Sequence, residues 1–422
     1  MPLPKAKNIL LTVLILAIVI AAGLLIAQDQ ESLHVRSPIA ADDPLFPDYL
    51  ARILGRPVTS GDAYTVLRNG KDAFPAMIGA IEHAKKRISF ETYIYSPGEV
   101  ADRFTAALAA ACERGVLVQI VFDAVGSSDG ERDARDTLSE AGCQIASFNP
   151  VRHTSLEEVN YRTHRKILVV DGQVGFVGGI GVADHWLGDA EAEDQWRDTQ
   201  FEIRGPAVDY LEGGFHENWI EVGGIVEPTV SPREGPPAGE ARSIVVWSSA
   251  EGGANQLKLK YLMAVAAARR SLDIQSPYFV TDGSTLWSLL EARQRGVRVR
   301  LLLEGDITDA KPVKFAGRAQ YEPLLAAGVE IYEFQPTMMH TKAMVVDGTL
   351  SIIGSANFDN RSMELNDELN VLVAGHALAA DLTRDFEADR KRSKRIVLEE
   401  WRARPLHIRG REKLWELFGE LF

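Results

Sequence analysis

One short pattern occurs twice in this chain of 422 residues and constrains its fold more than any other feature. Both copies read His-x-Lys, four residues, then Asp-Gly. They contribute His164, Lys166 and Asp171 in the first copy and His340, Lys342 and Asp347 in the second. Short stretches of small residues follow each copy, Gly178-Gly179 and Gly354-Ser355-Ala356-Asn357. A pattern repeated in this way predicts a chain built from two related halves.

Each copy combines an apolar run with a histidine and a lysine. The runs 167–170 and 343–346 are typical of buried strands. Side chains two apart on a strand share a face, so each His-Lys pair points one way. An imidazole beside an ammonium suggests a nucleophile next to an anion clamp, and the lysines argue against a metal. Asp171 and Asp347 precede glycine, so either a turn or a chemical role fits them.

The repeat extends beyond the motifs. Arg114-Gly115-Val116 parallels Arg295-Gly296-Val297, and Phe148-Asn149-Pro150 parallels Phe334-Gln335-Pro336. Helical and strand patterns alternate in both halves, which predicts an α/β fold: two mostly parallel sheets flanked by helices, related by a pseudo-twofold. The predicted boundaries are an N-terminus 1–8, an apolar segment 9–27, a lead-in 28–60, a first repeat 61–226, a linker 227–240, a second repeat 241–388 and a basic, amphipathic tail 389–422.

The apolar segment 9–27 predicts a transmembrane anchor. As a helix it spans ~28 Å, close to the ~30 Å hydrocarbon core of a bilayer. Lys5 and Lys7 precede it and acidic residues follow it, which places the N-terminus in the cytoplasm and the rest outside. A cleaved signal peptide is the alternative.

Charge and cysteine usage carry less information. The formal net charge of −13 weighs against a nucleic-acid partner. Cys112 and Cys143 have no metal-binding spacing, so we expect two inert thiols. The C-terminal residues 412–421 have apolar positions at helical spacing. They predict a helix that either docks on the domain or lies on a membrane, and its acidic stripe favours docking.

The paired motif resembles that of the phospholipase D superfamily, and the chain is most similar to the bacterial cardiolipin synthase branch. The resemblance covers roughly residues 60–405 and includes the segments 354–359, 361–368 and 196–199. It implies that His164 is the nucleophile and His340 the general acid/base. It also implies that the lysines, Ser355 and Asn357 bind phosphate, that Glu368 is the acidic partner of His340, and that Asp198 is its counterpart in the first half. The first half has Gly181 at the offset of Asn357, so it lacks one amide donor.

The resemblance implies a phosphatidyltransferase of the inner bacterial membrane, with its catalytic domain outside the cytoplasm. A phosphatidyl group would pass through a phosphohistidine to the glycerol hydroxyl of phosphatidylglycerol, with no cofactor and no metal. Phosphatidylethanolamine is a further candidate substrate, the membrane is the expected partner, and no nucleic acid is expected. Hydrolysis by a phospholipase D, a nuclease and an inactive lipid-binding scaffold are the alternatives.

Overall fold

A computed structural model describes residues 33–150, 160–226, 237–249 and 254–419. The predicted anchor 9–27 and most of the predicted linker 227–240 lie outside these ranges. Among the described residues, none of the helices combines the length and hydrophobicity that a bilayer span requires.

The first half alternates strands and helices up to its motif, as predicted. Its elements are α1 (Phe46–Leu54), β1 (Thr59–Arg68), α2 (Asn69–His83), β2 (Arg87–Thr92), α3 (Glu99–Glu113), β3 (Leu117–Asp123), α4 (Ser128–Glu140), β4 (Gln144–Phe148), β5 (Ile167–Val170), β6 (Val174–Gly178), β7 (Thr199–Arg204) and α5 (Ala207–Glu221). A single 3₁₀ turn, Asp184–Trp186, precedes β7.

The second half repeats this order and continues to the C-terminus. Its elements are β8 (Ala241–Ser248), α6 (Ala254–Ala267), β9 (Ser271–Ser276), β10 (Phe279–Val280), α7 (Gly283–Gln294), β11 (Arg298–Leu303), α8 (Lys311–Ala319), α9 (Tyr321–Ala326), β12 (Glu330–Phe334), β13 (Ala343–Val346), β14 (Leu350–Gly354), β15 (Phe358–Asp359), β16 (Glu368–Ala374), α10 (His376–Lys391), β17 (Ser393–Ile396), α11 (Leu398–Arg402) and α12 (Leu406–Glu416). A π-helical turn, Arg361–Leu365, precedes β16.

The two halves share one continuous 15-stranded sheet rather than two separate sheets. Its order is β17-β12-β11-β9-β13-β14-β16-β8-β1-β7-β6-β5-β2-β3-β4. The join is the antiparallel pair β1–β8. Parallel pairing holds for β2-β3-β4 and for β9-β11-β12. The motif strands and those between them pair antiparallel, so the sheet is mixed rather than mostly parallel.

Both faces of the motif strands are buried. Ile167 and Val169 belong to an apolar cluster that also includes Val345 from the second half. Leu168 and Val170, on the opposite face, pack in a core of the first half alone. This explains why the strands read as unbroken apolar runs. Because residues from both halves fill the shared cluster, the core itself holds the halves together.

The cysteines differ from the prediction of inert thiols. Cys112 and Cys143 form a disulfide with a Cα–Cα distance of 5.6 Å. Cys112 lies near the end of α3 and Cys143 immediately precedes β4. Helix and strand bring them together across 31 positions of sequence, a proximity that spacing alone does not reveal.

The C-terminal region is part of the folded domain. The predicted boundary between residues 388 and 389 falls inside α10. Beyond it, β17 adds an antiparallel edge strand to β12. In α12, Glu412 is buried and accepts hydrogen bonds from both terminal nitrogens of Arg404. The helix therefore docks on the domain with an acidic residue facing inward.

Candidate active site

The two motifs meet because each enters its strand against the other half. The backbone N–H of His164 donates to the carbonyl of Asp367 at 2.8 Å, in the second half. The backbone N–H of His340 donates to the carbonyl of Arg197 at 2.7 Å, in the first half. These two reciprocal contacts bring both histidines into one buried region.

Each histidine is bound by the carboxylate of the opposite half. His164 Nδ1 lies 2.8 Å from Glu368 Oε1, and His340 Nδ1 lies 2.7 Å from Asp198 Oδ2. The sequence-based prediction paired Glu368 with His340 and Asp198 with the first half, and it was wrong in both cases. The crossing follows from the reciprocal backbone contacts, which place β16 beside the first motif. Since Nδ1 is bound to a carboxylate in both rings, Nε2 is the nitrogen that can face a substrate, and in His340 it lies 3.1 Å from Lys342 Nζ.

The two carboxylates are held in place by different donors. Ser355 and Ser362 donate their hydroxyls to Glu368, at 2.5 Å and 2.7 Å. The indole N–H of Trp186 donates to Asp198 at 3.0 Å. Ser355, expected to bind phosphate, therefore directs its hydroxyl to Glu368. The halves are related in their backbone but differ in how they orient their histidines.

The lysines lie beside their histidines, as strand periodicity predicts. Lys166 Nζ donates to the carbonyl of His164 at 2.9 Å, and Lys342 Nζ donates to that of His340 at 2.8 Å. Burial, followed by repulsion from Lys342, lowers the pKa of Lys166 to about 7. Burial also lowers the pKa of Lys342 to about 8, although Asp198 and Glu368 favour its ammonium form. Two buried cations close enough to repel one another form a site for an anion.

The imidazoles and their carboxylates differ in proton affinity. Burial lowers the pKa of His164 to about 4. Burial alone would raise the pKa of Glu368, but His164 and Lys166 outweigh it and bring the pKa to about 2. Burial raises the pKa of Asp198 to about 6. It also lowers that of His340 well below its ordinary value, and Lys342 and Lys166 add to the effect. Glu368 is therefore fully ionised, whereas Asp198 binds a proton more readily.

The amide that the resemblance assigns to phosphate is present in only one half. Asn357 is buried, and its Oδ1 atom has no hydrogen-bond partner. At Gly181 an added Cβ would lie 3.1 Å from both Ile94 and the ring of Trp186. Ile94 and Trp186 thus leave little room for a side chain at position 181.

Aromatic side chains that the motifs do not include line the site. Ring centroids of Trp186 and Trp196 lie 5.5 Å and 5.0 Å from that of His340. His185 stacks obliquely between these tryptophans, and its Nε2 atom is buried without a partner. Tyr93 lies against His164 at 5.2 Å. Of these residues, Trp196 belongs to the segment 196–199 that carries the resemblance.

Asp171 and Asp347 lie at the opposite ends of the motif strands from the histidines. The carboxylate of Asp171 accepts the backbone N–H groups of residues 85–87. That of Asp347 accepts the N–H groups of residues 269–271. Both residues adopt left-handed backbone conformations, with φ of 55° and 54°. Of the two roles left open for them, a turn or a chemical role, these contacts support the turn.

Within the described ranges, no group of three or more His, Cys, Asp or Glu side chains is placed to hold a metal ion. The residues present are two imidazoles, each bound at Nδ1 to a carboxylate, and two lysine ammonium groups. This set can attack, protonate and stabilise a phosphodiester by itself.

Comparison with known proteins identifies relatives of this arrangement. Residues 77–198 and 261–390 match a family described as cardiolipin synthase, PLD-like domain. The chain is 35% identical over 396 residues to a cardiolipin synthase of Geobacillus kaustophilus, covering 91% of this chain and 79% of the relative. It is 31% identical over 367 residues to the major cardiolipin synthase ClsA of Bacillus subtilis, covering 86% and 76%.

Solved structures share the fold at low sequence identity. The phosphatidylserine synthase of Haemophilus influenzae superposes with a TM-score of 0.69 at 15% identity, over 89% of this chain and all of that one. The polyphosphate kinase of Porphyromonas gingivalis superposes with a TM-score of 0.54 at 13% identity, over 80% of this chain and 49% of its own. These likenesses establish the architecture of two halves.

Proposed function

The chain belongs to the cardiolipin synthase, PLD-like family, and from that premise we propose that it transfers a phosphatidyl group between two molecules of phosphatidylglycerol through a phosphohistidine. The observation that carries the proposal is the pair of crossed histidine–carboxylate contacts, 2.8 Å and 2.7 Å long. They leave two Nε2 atoms for one phosphate, as a two-step displacement requires.

In the first step, His164 Nε2 attacks phosphorus and the bond from phosphorus to the glycerol oxygen breaks. His340, as imidazolium, gives its proton to that oxygen, and free glycerol leaves. Lys166, Lys342 and the amide of Asn357 stabilise the phosphoryl oxygens while charge builds on them. A negatively charged substrate also favours the protonated form of His340 before the step begins.

In the second step, neutral His340 takes the proton of a glycerol hydroxyl on a second phosphatidylglycerol. That oxygen attacks phosphorus, the phosphorus–nitrogen bond breaks, and His164 is regenerated with cardiolipin as product. If water took the place of the second lipid, the product would be phosphatidic acid. Beside His340, buried Trp186 and partly buried Trp196 form an aromatic wall that favours exclusion of water from this step.

The difference between the two carboxylates supports the division of roles. Glu368, with its pKa lowered to about 2, stays ionised and orients neutral His164 for attack. Asp198, with its pKa raised to about 6, gives the His340 pair more capacity to hold a proton. Groups whose environments separate their proton affinities in this way mark the base and the acid of a site.

We further propose that residues 9–27 anchor the chain in the inner bacterial membrane with the catalytic domain outside. The Cys112–Cys143 disulfide supports this side, because disulfides persist in oxidising compartments. Acidic residues immediately after the apolar segment support the same orientation.

The test is to incubate the full-length protein in detergent with phosphatidylglycerol, without added metal, and to analyse the lipids by mass spectrometry. Cardiolipin with an equal amount of glycerol is expected. Phosphatidic acid alone would replace the transferase with a phospholipase D, and no turnover of this or other phospholipids would contradict the proposal.

The covalent intermediate can be tested separately. Reaction of the His340→Asn variant with a phosphatidyl donor bearing a good leaving group should add one phosphatidyl mass to the peptide containing His164. The His164→Asn variant is the matched control and should gain no mass. If the His164→Asn variant gained the mass on the peptide containing His340, the assigned roles of the two histidines would be reversed.

A further inference from the structure

The helix α12 exposes a row of leucines on the surface of the second half. Leu406 is 81% exposed, and Leu414 and Leu417 are each 43% exposed. Their spacing places them with Gly410 along one stripe of the helix. We call Leu406, Leu414 and Leu417 the leucine stripe. An aligned apolar row on a docked helix marks a contact surface, whereas single exposed leucines need no explanation.

The orientation of α12 removes the sequence-based argument against a membrane role. That argument placed acidic residues on the polar face of the helix. Glu412 is instead buried beneath the helix and ion-paired with Arg404 and Arg318, and Glu416 is paired with Lys413 at 2.6 Å. Neither acid leaves an uncompensated negative charge beside the leucine stripe.

The surroundings of the leucine stripe are cationic in an acidic protein. Residues 391–419 contain nine Lys or Arg against four Glu, whereas the whole chain has a formal charge of −13. Arg411 is exposed on α12 and its guanidinium stacks 3.9 Å from the ring of Phe315. A cavity of about 320 Å³ opens beside Leu406, and its charged lining is basic on balance: Arg318, Arg404, Arg409 and Lys413 against Glu322 and Glu412. Apolar residues within a basic border match the surface of an anionic bilayer.

The end of α12 contacts the segment that carries the phosphate-binding amide. Asn360 Nδ2 lies 3.4 Å from the carbonyl of Gly419, just after the helix. Strand β15, which immediately follows Asn357, pairs with β10, and Gly419 lies so near β10 that an added Cβ would be 3.3 Å from Val280. The leucine stripe therefore belongs to a helix attached beside the second half of the active site.

We propose that the leucine stripe and its basic border dock on an anionic phospholipid bilayer and hold the site against the layer that contains its substrate. The benefit of this docking for catalysis rests on the proposed function, whereas the first experiment below tests the docking itself without it. A second copy of the chain is the alternative occupant, and the experiments distinguish it from a bilayer.

The first experiment measures contact directly. In the full-length protein, Gly410→Cys carries an environment-sensitive fluorophore, since a Cβ there meets nothing within 4 Å and both native cysteines are disulfide-bonded. In lipid discs containing phosphatidylserine, emission should shift to the blue relative to discs of phosphatidylcholine alone, and Arg411→Glu should reduce the shift. A label at Gly79→Cys, also in open space, is the control. Equal emission in both discs would overturn the proposal, even if the enzyme proves active.

The second experiment uses turnover. Replacing all three residues of the leucine stripe with Ser should lower turnover of long-chain phosphatidylglycerol in vesicles about tenfold, while turnover of monomeric dihexanoyl phosphatidylglycerol stays within about twofold. The matched control replaces Leu45, Ile220 and Ile225, which are also exposed, with Ser. Equal losses on both substrates, or a halved mass by light scattering, would favour a dimer contact instead. No turnover by the wild type would contradict only the proposed function.

Discussion

At His164 and His340, the Nδ1 ring nitrogen is held by a carboxylate from the other half of the chain. Glu368 is ionised over the whole physiological range, whereas Asp198 has a pKa raised to about 6 by burial. The two imidazoles are alike in sequence context but not in the acid that orients them. This difference is the basis on which a nucleophile and a proton carrier can be told apart.

Replacing each carboxylate by its amide should slow different steps. Glu368→Gln should lower kcat about 10²- to 10⁴-fold with any leaving group, because it disorients the attacking His164. Asp198→Asn should slow the natural substrate comparably but recover with a p-nitrophenyl ester, whose leaving group needs no proton. Steady-state rates with both donors check this.

Glu202→Gln serves as the control for these amides, since its carboxylate pairs with Arg204 on the surface of β7 and should leave both rates unchanged. If both amide variants recovered equally with the p-nitrophenyl ester, or neither did, the separate roles would be contradicted.

The pH dependence of kcat/KM should follow the buried lysines and Asp198. Because burial lowers the pKa of Lys166 to about 7 and that of Lys342 to about 8, their positive charge is lost as pH rises through these values. Because burial raises the pKa of Asp198 to about 6, its negative charge is lost as pH falls below that value. We therefore expect a bell-shaped profile, measured from about pH 5 to 9.5 with phosphatidylglycerol.

The Asp198→Asn variant should lose the acid limb and keep the alkaline one, because the amide does not titrate and the lysines remain. A wild-type profile that stays flat to pH 9.5 would contradict the proposed lysine contribution.

At the scale of elements, the two ends of each motif strand, β5 and β13, carry side chains with different roles. One end delivers a histidine and a lysine to the site, and the other closes in an Asp-Gly turn whose carboxylate binds three backbone N–H groups. These N–H groups lie at the start of the neighbouring strand. The aspartate therefore holds that strand in register with the motif strand, which is a structural role.

Asp347→Ala should therefore lower the free energy of unfolding by about 1–3 kcal/mol, because three part-buried backbone N–H groups lose their acceptor, while kcat per folded molecule stays near that of the wild type. Denaturant unfolding and rates normalised to folded protein check this. Asp347→Asn, which keeps one acceptor and tolerates the φ of 54°, should lose less. A large fall in kcat with unchanged stability would instead indicate a catalytic role for Asp347.

At the scale of the whole molecule, neither half holds a complete set of the proposed catalytic groups. The first half supplies His164, Lys166 and Asp198, and the second supplies His340, Lys342 and Glu368. One sheet and one shared apolar cluster join the halves. The site therefore forms once per chain and depends on the packing between its halves.

Mixing the inactive variants His164→Ala and His340→Ala should not restore activity, because each chain completes its site from its own halves. Cardiolipin formation by the mixture should not exceed the sum of the two variants, with a mixture of wild type and either variant as the reference. Recovery on mixing would show that halves exchange between chains.

Local pattern was enough to predict much of this protein. The repeat, the alternating helices and strands, the buried motif strands and the shared face of each His-Lys pair all depend on neighbours a few residues apart, where periodicity and side-chain direction are informative. Together with the resemblance they also led to the family and to the transferase function.

Only the tertiary structure decided which distant groups meet. The crossed pairs join residues such as His164 and Glu368 that lie 204 positions apart, the disulfide joins a helix end to a strand start, and Trp186 reaches Asp198 from outside any motif. The mixed strand pairing of the sheet and the burial of Glu412 also depend on tertiary contacts. Contacts of this kind depend on how the two halves pack, and that packing is a property of the whole chain rather than of any local segment.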